Sequence, residues 1–391
     1  MSAQAQAPSV TLPSSPGDPD ARGLYVHLPF CLLRCPYCDF NAYAGMDELK
    51  GPYLEALLTE IREAGDGGRV ATVFFGGGTP TEFPVPALAR IFAALRRSFS
   101  LDPGAEITIE ANPETVSREI FAALARCGFN RVSVGVQSLA SHVLARLGRA
   151  HGPERALAAL HEAASAGLRH VNADLIFGTP GESLEDWRAS LEGVLEAGVD
   201  HISAYALTVE EKTPLAARVA RGRIPAPDDD DQADKYELAA EVLNEAGLVR
   251  YEISNWARPG CWSRHNLGYW RSGDYLGFGA GAHSHHRGRR WWNVSSPRAY
   301  IARSPAVEDG HEELSGEQQL GEATLLGLRL AGGIRRRAFA ARFGVDPVTR
   351  YSEELARAEA LGLVKIAADR VCLSAKGFFF WSSVARGLVN D

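Results

Sequence analysis

The 391-residue sequence has few cysteines, no long apolar run and no excess of positive charge. Six cysteines are too few for a disulfide scaffold. No segment approaches the length and apolarity of a membrane span, so we predict none. The formal net charge of −7 gives no general reason to expect a nucleic-acid partner. These absences predict a globular protein of the cytoplasm, where thiols stay reduced.

The first 21 residues also lack a feature, namely the basic and apolar regions of an export signal. They are rich in alanine, serine, proline and glutamine. This composition predicts a disordered tail, 1–21, rather than a leader peptide.

What the chain does contain is a triplet of cysteines, Cys31, Cys35 and Cys38, directly after a strand-like segment. No fourth cysteine follows nearby, whereas a closed zinc site and a cubane iron–sulfur cluster held wholly by protein both need four ligands. Three thiolates would leave one iron of a [4Fe–4S] cluster open to a small molecule. The alternative is a zinc site that His27 or a more distant histidine completes.

From residue 22 to about 210, strand-like and helical patterns alternate. Short apolar or β-branched runs predict strands at 24–28, 71–75, 106–110, 131–136, 170–177 and 201–207. Amphipathic runs predict helices at 54–64, 87–99, 118–127, 155–166 and 184–197. Six such units in series predict a parallel sheet with right-handed crossovers, either a barrel or a doubly wound sheet.

Unusual polar residues follow the ends of these strands. A glycine run, 76–78, ends the second strand, and Glu110, Gln137 and Asp174 lie on the next three. Because ligands bind at the carboxyl ends of parallel strands, these residues predict one site beside the cysteine loop. Taken singly, the glycine run is also typical of a tight turn, and each carboxylate could be paired with an arginine of the barrel.

The spacing Cys-x3-Cys-x2-Cys followed by Gly-Gly-Gly-Thr-Pro resembles the radical S-adenosylmethionine (SAM) proteins. Within them, the chain resembles the oxygen-independent coproporphyrinogen III oxidases and the related HemW heme chaperones. The resemblance implies a partial (β/α)6 TIM-like barrel and two cofactors, a [4Fe–4S] cluster and SAM. Cys31, Cys35 and Cys38 then match the cluster ligands. It also implies a set of SAM-binding residues: Tyr25, Tyr37, Gly77, Gly78, Thr79, Glu110, Gln137, Arg149 and Asp174.

Two departures separate the chain from the oxidases and favour the HemW branch. The oxidases continue the cysteine motif with a further cysteine, where this chain has Phe40. Their long N-terminal extension is also absent. The stretch 264–270 matches the His-Asn-x-x-Tyr-Trp motif of the HemW branch. We therefore expect a protein that binds heme and transfers it to an acceptor protein, with an electron donor for the cluster. The alternative is oxidative decarboxylation of coproporphyrinogen III.

The heme is expected in a segment rich in histidine and tryptophan, 256–302. His265 is the predicted axial ligand, although a histidine among tryptophans is more often a hydrogen-bonded packing residue. Three further histidines compete for the role, and three arginines that follow them are candidates for pairing with propionates. They are His283, His285, His286, Arg287, Arg289 and Arg290.

The resulting division of the chain has five parts. After the tail come a radical SAM core (22–255), the heme-handling segment (256–302), a linker (303–313) and a C-terminal accessory domain (314–391). Helical patterns at 320–330, 335–343 and 351–361 and a hairpin at 363–373 predict a helical, winged-helix-like domain.

Overall fold

The computed structural model describes residues 21–389. The predicted tail, except for Ala21, lies outside the described residues. One twelve-stranded sheet dominates the fold, in the order β14-β13-β12-β11-β1-β4-β5-β6-β7-β8-β10-β9. Its strands are β1 (Arg22–Leu28), β4 (Arg69–Gly77), β5 (Ser100–Ala111), β6 (Arg131–Gln137), β7 (His170–Phe177), β8 (His201–Ala206), β9 (Val249–Arg250), β10 (Asn255–Ala257), β11 (Tyr275–Phe278), β12 (His283–His286), β13 (Arg289–Asn293) and β14 (Glu308–Glu313). A separate pair, β2 (Phe30–Cys31) and β3 (Tyr43–Ala44), lies in the cysteine loop.

Six consecutive strands, β1, β4, β5, β6, β7 and β8, pair in parallel. They form the partial (β/α)6 barrel that the resemblance implies. All six predicted strands are present, with ends that differ by a few residues. The longest difference is in β5, which begins at Ser100 rather than at residue 106.

Helices cover the outside of this sheet. Those of the first part are α1 (Lys50–Glu63), α2 (Val85–Ser98), α3 (Arg118–Cys127), α4 (Ser141–Leu147), α5 (Pro153–Ser165), α6 (Leu184–Glu196), α7 (Pro214–Ala220) and α8 (Asp229–Glu245). The later ones are α9 (Arg264–Trp270), α10 (Pro297–Arg303), α11 (Gly316–Leu328), α12 (Arg336–Phe343), α13 (Pro347–Arg350), α14 (Ser352–Ala360), α15 (Ala375–Phe379) and α16 (Trp381–Val389). The five predicted barrel helices are confirmed.

The helix α6 illustrates why these segments fold as they do. The Ser183 hydroxyl oxygen accepts a hydrogen bond from the Asp186 amide, and the Asp186 carboxylate accepts one from the Ser183 amide, which forms a capping box. One turn further, Trp187 and Leu191 are fully buried against the sheet. Their spacing of four residues places both on the same helix face, so a single amphipathic pattern fixes the helix and its orientation.

The sheet continues beyond β1 through β11, β12, β13 and β14. Glu308–Glu313, inside the segment interpreted as a linker, is the edge strand β14 rather than irregular chain. Its acidic residues face basic ones on β13, where Arg289 pairs with Glu313 and Arg290 with Glu312. Cross-strand charge pairs thus support a strand whose composition is typical of a loop.

The C-terminal part has a three-stranded sheet, β15 (Ile334–Arg335), β17 (Arg370–Leu373) and β16 (Val364–Ile366), in that order. The hairpin of β16 and β17 follows the helices α12 and α14, as in a winged helix. This confirms the predicted helical, winged-helix-like architecture. None of the helices among residues 21–389 is long and apolar enough to cross a membrane.

Candidate cluster and cofactor site

The three cysteines lie on the loop that leaves the carboxyl end of β1. All are partly buried and none forms a disulfide. Burial raises the pKa of the Cys31 and Cys38 thiols, and the neighbouring cysteines raise it further. Cys31 and Cys38 thus share one electrostatic environment with Cys35, in which a bound cation would stabilise the thiolates.

A chain of hydrogen bonds joins two of these cysteines through residues of other strands. The Thr79 hydroxyl donates to the Cys31 sulfur at 3.5 Å, and the Asn112 amide donates to Thr79 Oγ1 at 2.8 Å. The side-chain oxygen of Asn112, Oδ1, accepts from Arg149 Nη2 at 2.5 Å. Arg149 Nη1 lies 3.3 Å from the Cys35 sulfur. The β4, β5 and α4 ends therefore position the cysteine loop.

Asn112 was not among the predicted site residues, although its side chain contacts two of them, Thr79 and Arg149. It follows β5 at the carboxyl edge of the sheet, within Glu110-Ala-Asn-Pro. Its position two residues after Glu110 at a strand end was the available signal.

The glycine run lies against the cysteine loop. The amides of Gly78 and Thr79 donate to the carbonyls of Leu28 and Phe30, at 2.9 and 2.8 Å. A Cβ at position 78 would lie 2.6 Å from the Phe30 carbonyl oxygen, so only glycine permits this approach. These amides already have acceptors, and a ligand ammonium, which is itself a donor, would need carbonyl oxygens at this edge.

Two partly buried carboxyl groups, Glu110 and Asp174, line the cavity of the barrel. Burial and the neighbouring Asp174 raise the pKa of Glu110 to about 8, and the Gly77 amide is its hydrogen-bond donor at 3.3 Å. No arginine or lysine among residues 21–389 forms an ion pair with Glu110. Burial also raises the pKa of Asp174, opposed by hydrogen bonds from Ser133 and Asn172. A cationic ligand would supply the ion-pair partner that Glu110 lacks.

These carboxyl groups line a cavity of about 230 Å³ in the barrel. Tyr25, His265 and Tyr269 share its wall. His265 is 3% exposed, and both of its ring nitrogens are engaged, with Thr72 Oγ1 and with the Tyr269 hydroxyl at 2.8 Å each. Burial lowers the pKa of His265 to about 3, so the ring is neutral. The structure thus places His265 on helix α9 beside the predicted SAM residues, not in an open loop.

His27 does not complete a zinc site with the cysteines. Its ring nitrogens contact the Tyr25 hydroxyl and the Asn41 carbonyl oxygen, at 2.9 Å each. Both nitrogens are therefore used within the fold, which disfavours the zinc alternative for the triplet.

Two other predicted residues lie at the same edge. Tyr37 packs against α4, and its hydroxyl is close to Cys35 and Arg149. Gln137 ends β6 with a φ of 67°, a strained value for a residue with a side chain. Together with the residues above, every predicted cluster and SAM residue lies at the carboxyl edge or in the cavity below it. Their ligand roles stay predictions.

The loop also exposes large apolar side chains. Leu32, Leu33 and Phe40 are 56%, 59% and 66% exposed. Three such residues within ten positions form a local apolar surface beside the cysteines.

The other candidate histidines lie on the extension of the sheet. His283 is exposed and its ring stacks on Trp292 at 5.8 Å. His285 and His286 pair with Asp274. Two of the arginines, Arg289 and Arg290, form ion pairs with glutamates. Arg287 is exposed and forms no ion pair among the described residues.

Two family models match separate parts of the chain. Residues 25–194 match the Radical SAM superfamily and residues 314–380 match the HemN C-terminal domain. The structure of coproporphyrinogen III oxidase (HemN) from Escherichia coli superposes with a TM-score of 0.82 over 95% of this chain and 91% of that one. Their sequences are 23% identical, so this likeness establishes the fold. The chain is a radical SAM protein, a class that implies a [4Fe–4S] cluster and SAM.

The particular family follows from closer relatives. Heme chaperone HemW of Mycobacterium tuberculosis is 44% identical over 98% of this chain and 99% of its own length. Heme chaperone HemW of Bacillus subtilis is 33% identical over 95% of this chain and its whole length. The chain belongs to the HemW family, which confirms the branch predicted from Phe40 and the His-Asn-x-x-Tyr-Trp motif.

Proposed function

We propose that this protein is a heme chaperone, which binds a [4Fe–4S] cluster, SAM and heme and transfers heme to an acceptor protein. The observation that carries the proposal is the 44% identity to a heme chaperone over nearly the full length of both chains. We expect it to work in the cytoplasm, because its six cysteines are free thiols. An electron donor for its cluster is expected from the likeness to radical SAM proteins.

The donor set supports the cluster and SAM. Cys31, Cys35 and Cys38 would hold three irons, and the fourth iron would take the amino-acid part of SAM. Glu110, a partly buried carboxyl without a basic partner, suits the ammonium of that ligand. Arg149 would offset the charge of the thiolates through its contact with Cys35. When bound, the cluster supplies one-electron chemistry at the open iron.

The heme ligand is better supported at His283 than at His265. Binding of iron to His265 would break one of its two hydrogen bonds and require entry into the barrel. His283 is exposed, forms no hydrogen bond among residues 21–389 and lies against the flat surface of Trp292. The indole and imidazole rings would offer a macrocycle both a stacking surface and an axial ligand.

The apolar surface of Leu32, Leu33 and Phe40 supports a protein that exchanges its cargo with another protein. An enzyme that acts on a sequestered substrate gains nothing from three exposed apolar side chains beside its cluster. A contact surface for an acceptor gains affinity from them.

The decisive experiment offers both substrates to the anaerobically reconstituted protein. A chaperone binds heme stoichiometrically, passes it to an apo-acceptor and leaves coproporphyrinogen III unchanged in the presence of SAM and a reductant. Conversion to protoporphyrinogen IX would overturn the proposal and establish the oxidase alternative.

Matched histidine variants locate the heme. We expect His283→Ala to weaken heme binding at least about tenfold, with His142→Ala, at an exposed histidine of α4, as the control. If His265→Ala alone abolishes the heme spectrum while cluster iron is retained, the ligand is His265 and the assignment to His283 is wrong.

A further inference from the structure

A second cluster of metal-ligating side chains lies at the opposite end of the barrel. The ligand atoms of His170, Asp200 and Cys261 all lie within 4.8 Å of one another. His170 begins β7, and Asp200 directly precedes β8. Because both strands are parallel, these residues lie at the amino edge of the sheet, away from the cysteine loop.

Backbone hydrogen bonds fix each member of this group. The His170 amide donates to the Asn130 carbonyl at 3.1 Å, and Asp200 Oδ1 accepts from the Val171 amide at 3.1 Å. The second carboxylate oxygen, Asp200 Oδ2, is 2.6 Å from His170 Nδ1. The orientation of two donors is therefore set by the fold itself.

A tight turn after β10 positions the third side chain, Cys261. The Arg258 amide donates to the Asp200 carbonyl and the Cys261 amide donates to the Arg258 carbonyl, at 2.9 Å each. Gly260, with a φ of 89°, allows the reversal. Arg131 Nη1 also donates to the Cys261 carbonyl at 3.0 Å, which secures the turn from inside the barrel.

We propose that His170, Asp200 and Cys261 bind a Zn²⁺ ion, with a water molecule as the fourth ligand. Imidazole, thiolate and carboxylate are the three side-chain donors that zinc takes in tetrahedral sites. The combination of a thiolate with an imidazole favours zinc over magnesium or calcium, which prefer oxygen ligands. The thiolate and the carboxylate would balance the charge of the ion.

The Cys261 side chain lies within hydrogen-bond reach of Asp200, so the sulfur and the carboxylate already face one another. A bound Zn²⁺ would cross-link the starts of β7 and β8 to the turn after β10. The site is partly accessible, since the His170 and Asp200 side chains are 21% and 19% exposed, so the ion has a path of entry.

The test measures zinc and iron together in the protein with its iron–sulfur cluster reconstituted, after equilibration with zinc and a weak chelator. We expect about one zinc per chain in the native protein. Cys261→Ser and His170→Gln should each lower the zinc content at least about fivefold and leave the iron content unchanged. Cys127→Ser, which changes another partly buried cysteine that is not a member of the group, is the matched control and should retain its zinc.

Cobalt provides a second readout that does not depend on stability. Co²⁺ in the native protein should give a thiolate-to-cobalt charge-transfer band that Cys261→Ser removes and Cys127→Ser retains. Absence of stoichiometric zinc in the native protein, or an equal zinc content in Cys261→Ser, would overturn the proposal. So would zinc that disappears only when Cys31 is replaced, because the ion would then lie in the cluster loop.

Discussion

Asn112 and Arg149 are joined by a 2.5 Å hydrogen bond that links two of the three cysteines of the triplet. The side-chain amide of Asn112 donates to Thr79, which contacts the Cys31 sulfur, while Arg149 contacts the Cys35 sulfur. One asparagine therefore relates the positions of two predicted cluster ligands that are otherwise connected only by a loop.

Replacing this asparagine should loosen the cluster. Asn112→Ala removes a hydrogen bond to a charged group and one to a hydroxyl, which together cost about 2–4 kcal/mol. We expect faster loss of iron from the reconstituted protein in the presence of a chelator, measured by the decay of the iron–sulfur absorption. Asn130→Ala is the control, since Asn130 also forms two hydrogen bonds with the barrel, but at its amino end. Equal rates of iron loss in the two variants would contradict this role of Asn112.

Gly78→Ala should have a larger effect on the same loop. The added methyl group would meet the backbone of Phe30 at 2.6 to 2.9 Å, and backbone atoms cannot move aside as a side chain can. We expect the variant to fold but to incorporate much less iron on reconstitution, measured as iron per chain. Gly104→Ala, on β5, meets nothing within 4 Å and should load normally. Normal loading of Gly78→Ala would show that the glycine run does not position the cysteines.

Glu110 gives the protein a pH dependence with a defined sign. Its folded pKa of about 8 lies above its ordinary value of 4.5, so the folded state favours the protonated form. This stabilisation is complete below about pH 4.5 and is lost as the pH rises through 8, by on the order of a few kcal/mol. Glu110→Gln cannot ionise, so its thermal midpoint without SAM should fall less between pH 6 and 9 than that of the native protein.

The same variant should bind SAM about 10- to 100-fold more weakly at pH 8, because it lacks a carboxylate for the ammonium. Calorimetric titration of the reconstituted protein measures this. Glu106→Gln, on the same strand but with its carboxylate directed at the start of α9, should keep the native affinity. Unchanged SAM affinity in Glu110→Gln would remove Glu110 from the predicted SAM site.

Tyr300→Phe tests how the sheet extension is held to the barrel. The Tyr300 hydroxyl donates to the buried Glu60, which also accepts from the Gly279 amide and the Asn293 side chain. Loss of one donor leaves a buried carboxyl less satisfied and should lower the free energy of unfolding by about 1–3 kcal/mol. Urea unfolding measures it. The Tyr43 hydroxyl lies nearer the surface, so Tyr43→Phe should lower the free energy of unfolding by less. An equal loss in the two variants would mean that the hydrogen bond to Glu60 adds no particular stability.

The barrel was predictable from the sequence because its signals are local. The run 118–127 has a clear helical period, and the structure places α3 at Arg118–Cys127. By contrast, Glu308–Glu313 is acidic and carries no apolar alternation, so the interpretation as a linker was reasonable. It becomes a strand through Arg289 and Arg290, which come some twenty residues earlier in the chain.

The environment of the site was harder to foresee than its members. Cys31, Glu110 and Asp174 were found by their residue types and by their positions near strand ends. The hydrogen bonds of His265 with Thr72 and Tyr269 depend on how α9 packs against β4, and no periodicity reports that packing. Asn112 was missed because an asparagine before a proline is common in turns.

The register of β11, β12 and β13 relates the cavity of the barrel to the outer part of the sheet. Tyr25 on β1 pairs with Gly277, Tyr275 pairs with His285, and His283 pairs with Trp292. By strand register, Tyr25, Tyr275, His285, His283 and Trp292 therefore belong to one face of the sheet, which extends from the cavity to the exposed His283. The predicted SAM cavity and the proposed heme site are therefore built on the same face of one continuous sheet.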